Sequence, residues 1–114
     1  MTLAEIEYQL LCMRHGWEDE GRIFQFDDTF CQRLRTIARK LPYEVDLFPT
    51  QADSAQFEME FGEHYIEAEI CPYDPSIVVF EYHGYGIGHT QIVFDDNDVV
   101  DILMKFYETY HQEV

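Results

Sequence analysis

The sequence predicts an α+β domain, with two N-terminal helices, an antiparallel sheet of four or five strands and a C-terminal helix packed on that sheet. Three observations lead there. Apolar residues recur at three- and four-residue steps near both ends of the chain, they alternate with polar residues through its middle, and the alternating segments follow one another too closely for crossover helices. At 114 residues, 46% of them apolar, the chain fits one domain spanning 1–114 around one core.

Residues 2–16 form the first predicted helix. Thr2 with Glu5 three residues on makes a capping box, Gly16 supplies the stop, and Leu3, Ile6, Leu10 and Met13 share a face. A charged loop at 18–21 and a short apolar stretch at 23–26 follow. Asp27 or Asp28 then caps a second helix that runs to about Leu41, where Pro42 ends it. Its apolar stripe is Phe30, Leu34, Ile37, Ala38 and Leu41, while Arg33, Arg35, Arg39 and Lys40 lie elsewhere or near its negative end.

From Tyr43 the period becomes two. Val45 and Leu47 alternate with Glu44 and Asp46, and a loop at 51–54 precedes the clearest signal, Ala55–Cys71. Phe57, Met59 and Phe61 alternate with Gln56, Glu58 and Glu60, Gly62-Glu63 offers a type II′ turn, and Ile66, Ala68 and Ile70 alternate with Tyr65, Glu67 and Glu69. With Phe61 opposite His64, one face is apolar and the other sets Glu58 against Glu67. The run 77–83 reads as a central strand, 91–94 as another, and Asp95 or Asp96 caps a last helix with Val99, Val100, Leu103, Phe106, Tyr107 and Tyr110 buried.

Charge is distributed unevenly. Seven cations against 23 acids give −16. Residues 1–40 net −1, whereas residues 41–114 hold sixteen acids and only Lys105, netting −15. Such a field disfavours direct contact with nucleic acid or anionic lipid and speeds encounter with a basic protein. Cys12, Cys31 and Cys71 lack C-x-x-C spacing, which predicts free thiols in a reducing cytoplasm, and neither a secretory leader nor a spanning apolar run is visible.

Like charges directly opposed on a hairpin cost stability, so Glu58, Glu60, Glu67 and Glu69 are the candidate binding residues. Glu81 joins them if Phe80 and Tyr82 face inward. Tyr65, Tyr73 or Tyr85 are candidate aromatic anchors. Other patterns point elsewhere. The glycines at 84, 86 and 88 lack the Gly-Lys-Ser/Thr of a phosphate loop and suit a wide hairpin or bulge. His83 and His89, with His64 or Cys71, do not have zinc spacing, and Asp95–Asp98 lacks the EF-hand pattern. No metal or cofactor is implied.

Pro49, Thr50, Gln56, Phe57, Glu58, Glu67, Glu69 and Ile70 make the segment 49–70 resemble a hairpin of small uncharacterised bacterial and phage proteins, with Met59 where Trp or Tyr is usual. That resemblance implies a microbial origin and carries no activity. By size and charge the chain is also similar to acidic nuclease inhibitors of the immunity and anti-CRISPR types. The resulting expectation is a non-enzymatic cytoplasmic protein that docks on a basic surface of a nuclease or other nucleic-acid-binding protein. The alternatives are a small hydrolase or metal-dependent enzyme built on His83, His89 and nearby acids, and a structural accessory subunit. A homodimer is left open.

Overall fold

The computed structural model describes residues 1–50, 53–84, 86 and 88–112. Its elements are α1 (Leu3–His15), β1 (Trp17–Asp19), β2 (Arg22–Phe24), α2 (Asp28–Ala38), β3 (Asp46–Pro49), β4 (Ala55–Phe61), β5 (His64–Ile70), β6 (Ile77–Tyr82), β7 (His89–Val93) and α3 (Asp96–Tyr110). The predicted α+β class and element order hold, with one addition. The segment taken as a charged loop and a short apolar stretch is a small hairpin, β1 paired with β2. Its turn residues Glu20 and Gly21 both have positive φ, and strands of three residues are too short to show an alternating pattern.

Helix ends follow the chemistry that the sequence carries. The Thr2 hydroxyl accepts from Glu5 N–H while the Glu5 carboxylate accepts from Thr2 N–H, and Gly16 N–H returns to Cys12 O at 2.9 Å. Asp27 accepts from Phe30 N–H at 2.8 Å to start α2, which stops at Ala38, short of the expected Leu41. Asp95 accepts from Asn97 N–H at 2.7 Å to start α3. Its neighbour Asp96 receives a two-pronged guanidinium contact from Arg33, which ties α2 to α3.

The five-stranded sheet has the order β3-β4-β5-β6-β7, every neighbour antiparallel. The β4–β5 register is the predicted one throughout, from Phe61↔His64 to Ala55↔Ile70, and Gly62 takes the positive φ of 60° that the tight turn requires. Helices cover one face only. Phe57, Met59, Ile66, Ala68, Ile70, Ile77 and Val79 are buried there with Leu10, Met13, Leu34, Ile37, Val99, Leu103 and Phe106 in a single core. Leu3 is the exception on the α1 stripe. It lies on the first helical turn and stays exposed.

Candidate functional site

The uncovered face of this sheet is where the candidate binding residues collect. Because strand residues alternate, those facing away from the helices are Asp46 and Phe48 on β3, Gln56, Glu58 and Glu60 on β4, Tyr65, Glu67 and Glu69 on β5, Val78, Phe80 and Tyr82 on β6, and Thr90 and Ile92 on β7. Register then sorts them into rows. Asp46, Glu58 and Glu67 are cross-strand neighbours in one row, and with adjacent strands about 4.8 Å apart they place three carboxylates within roughly 10 Å. Glu60 lies opposite Tyr65, and Glu69 opposite Gln56, in the flanking rows.

Neutral donors hold these carboxylates. The Tyr65 hydroxyl is 2.8 Å from Glu58 Oε2 and 3.0 Å from Glu67 Oε2, so one proton bridges the two opposed side chains. Gln56 Nε2 donates to the same Glu58 oxygen at 3.3 Å, and Ser54 Oγ donates to Glu69 Oε2 at 3.0 Å. Among the described residues none of Glu58, Glu60, Glu67 and Glu69 forms an ion pair. The like-charge opposition is thus softened by hydrogen bonds that fix the carboxylates without neutralising them. Burial, followed by the bonds to Glu58 and Glu67, pushes the Tyr65 phenol well above its ordinary range, which keeps it a donor.

Four of the seven cations are engaged on the helical side. Arg14 meets Asp28 at 2.6 Å, Arg35 meets Glu7 at 2.8 Å, Arg33 meets Asp96, and Lys40 approaches Asn97 at 3.5 Å. The Glu7 carboxyl is accordingly held below its usual range by the Arg35 guanidinium. No described cation reaches the acidic rows from within the molecule, apart from the Met1 amino group, 3.3 Å from Asp46.

Glu81 is a correction. The register sets it opposite Ile66, which puts Glu81 on the helix-facing side and turns Phe80 and Tyr82 outward. Parity is decided by Ile77 and Val79, which fill the core, and a run as uniformly apolar as 77–80 conceals which alternate set that is. The open face is therefore two-toned. Carboxylates occupy the β3–β5 half, and Val78, Phe80, Tyr82 and Ile92 the β6–β7 half. Of the proposed aromatic anchors, Tyr65 lies among the acids. Tyr73 is 81% exposed and lines a groove with Phe30 and Arg33, away from the acids, and Tyr85 lies outside the described residues.

Glu81 instead joins a second cluster at the end of the sheet. Its Oε2 is 3.1 Å from His83 Nε2, His83 Nδ1 is 2.8 Å from His64 Nδ1, and the His64 ring stacks on Tyr110 of α3 at 4.0 Å. An ionised carboxylate only accepts, so His83 Nε2 carries a proton, and in a neutral ring its Nδ1 accepts from His64 Nδ1–H. Of the residues the sequence offers beside the loop-flanking His83 and His89, His64 meets His83, while Cys71 lies apart against Asp53 O at 3.8 Å and His89 is exposed on β7. Among the described residues no group of three or more His, Cys, Asp or Glu is placed to hold a metal ion. Gly88 packs closely on β6, 2.7 Å being left between a Cβ at that position and Glu81 O. A Cβ there would stand 2.5 Å from the Phe80 ring.

No described helix is long and apolar enough to cross a membrane. The chain matches no family model, no curated protein and no solved structure.

Proposed function

We propose that this chain is a non-enzymatic acidic binding protein whose open sheet face docks on a basic surface of a nuclease or other nucleic-acid-binding protein, where its carboxylates take the place of phosphates. The observation that carries this reading is the row Asp46, Glu58 and Glu67, flanked by Glu60 and Glu69 and held by Tyr65, Gln56 and Ser54. Carboxylates fixed by neutral donors and without a described cationic partner, as Glu58, Glu67 and Glu69 are, are what an array of arginines or lysines recognises. Phe80, Tyr82 and Ile92 on the same face provide apolar contact area that charge alone lacks. Similarity in size and charge to immunity and anti-CRISPR type inhibitors supports the same class of partner.

The test begins with capture of basic proteins from the native host on the immobilised chain at about 50 and 300 mM salt, followed by association rates for the captured partner. Glu58→Lys with Glu67→Lys is expected to slow association tenfold or more at low salt, because long-range steering is lost and reversed. Duplex DNA and the wild-type chain are expected to compete for the partner. An unchanged association rate, or simultaneous binding of both, would end the reading.

A further inference from the structure

The two edges of the five-stranded sheet differ in a way that the acidic face does not explain. The β3 edge is closed. It is four residues long, carries Asp46, ends in Pro49 with no N–H to offer, and is covered where Met1 reaches over it, its amino group bonded to Val45 O at 3.0 Å and its sulfur accepting from Leu47 N–H at 3.5 Å. The β7 edge has none of these protections. Its residues His89, Thr90, Gln91 and Ile92 are exposed, it holds no Lys, Pro or carboxylate, and among the described residues its only ladder is with β6. Just beyond it Phe94 is 70% exposed, and Ile92 within it is 57% exposed.

We infer that β7 is a self-association edge, at which two copies of this chain pair antiparallel about a two-fold axis through Gln91. The unpaired N–H and C=O groups of a strand edge accept only another extended strand, which fixes the class of occupant. A second copy supplies such a strand, because each copy brings the same β7 edge. In a chain of net charge −16, β7 is the strand of the five-stranded sheet that carries no acid, so pairing there sets no carboxylate directly opposite another. Pairing about Gln91 sets Thr90 of each copy beside Ile92 of the other on the open face, and His89 beside Val93 on the helix side. The acidic strands stay apart. From β5 of one copy to β5 of the other is five strand spacings, about 24 Å, or roughly three Debye lengths at physiological salt.

An axis perpendicular to the sheet leaves both open faces on the same side. The dimer then presents one ten-stranded surface with an apolar centre contributed by Phe80, Val78 and Ile92 of each copy, and an acidic row at either flank. The pairing does not depend on whether that surface binds anything. A five-residue edge with one exposed apolar side chain, Ile92, and a second, Phe94, just beyond it lies at the small end of interface sizes, so micromolar self-association is expected.

Sedimentation velocity on the whole chain from about 5 to 500 μM, a range that brackets such an affinity, tests this. The expected result is a weight-average mass that rises with concentration toward twice that of one chain, and rises further with added salt, which screens self-repulsion. Docking on a basic partner has the opposite salt dependence, so the two proposals fail separately. Thr90→Glu with Ile92→Glu, which opposes like charges across the new pair, is expected to weaken association tenfold or more. Thr90→Lys with Ile92→Glu, which opposes unlike charges, is expected to restore it. A mass fixed at one chain across the range at high salt overturns the inference, as does self-association indifferent to both double variants.

Discussion

Phe57 and Glu58 are adjacent in sequence and lie on opposite faces of one strand, and the two faces follow different rules. On the helix side a residue is chosen by shape. Phe57 is fully buried among side chains from helices and sheet, and its neighbours across the strands, Leu47 and Ala68, are equally buried. On the open side Glu58 has a carboxylate at either hand, Asp46 and Glu67, in an arrangement that opposes stability. The core side holds the fold together, and the open side carries strain that a sequence selected for stability alone would have relieved with Lys or Thr. The difference separates what makes the molecule stand from the face on which the proposed docking rests.

The largest effect that can break this comparison is on the core side. Phe57→Ala is expected to destabilise by about 3–5 kcal/mol, through lost apolar burial and the cavity left behind. Glu58→Ala, one residue along, gives up the bonds from Tyr65 and Gln56 but relieves the opposition to Asp46 and Glu67, and is expected to change stability by less than about 1 kcal/mol. Urea unfolding of both variants checks the pair. Equal losses would show that the open face is part of the fold's support and not a surface set aside.

The next effect concerns the hydroxyl between the acids. Tyr65→Phe removes the proton shared by Glu58 and Glu67 and is expected to cost about 1 kcal/mol at neutral pH. The folded-state phenol titrates above its unfolded value, so the hydroxyl's contribution is full below about pH 10 and falls as pH rises beyond that. The gap in urea midpoint between wild type and Tyr65→Phe is therefore expected to narrow between about pH 8 and pH 10.5. A gap that widens would mean that the hydroxyl is not what holds the two carboxylates together.

Legibility in the sequence follows the same division between faces. The hairpin 55–71 was readable to the residue because every second position is apolar and a glycine marks the turn, so pattern and turn chemistry agree. Helix starts were readable to within one residue, with Asp28 and Asp96 left as alternatives, because Thr2, Asp27 and Asp95 cap through local hydrogen bonds that depend on nothing distant. What failed needed long-range information. Ile77-Val78-Val79-Phe80 is apolar in both alternate sets, so only pairing with β5 and the burial of Ile77 and Val79 in the core decide that Glu81 turns toward His83 and away from the acids. The β1–β2 hairpin was too short for periodicity, though Gly21 ahead of the apolar pair Ile23-Phe24 is a turn signal. The hydroxyl bridge of Tyr65 is diagonal in the sheet, and no linear spacing announces it.

The smallest effect is the most discriminating. Glu67→Gln keeps an oxygen that can accept from Tyr65 but removes one of the opposed charges, and it is expected to raise stability by a few tenths to about 1 kcal/mol. The gain is expected to shrink as salt rises from about 20 to 500 mM, because a surface repulsion is screened over the Debye length whereas a packing gain is not. The same variant is expected to weaken docking on a basic partner, since one carboxylate of the row is lost. Stability and binding then move in opposite directions on one conservative change, the signature of a residue kept for what it contacts outside the molecule. Thermal melts at both salt concentrations, read beside association rates, check it. A variant more stable and equally well bound would return Glu67 to the solvated surface and leave the rest of the row to account for any docking.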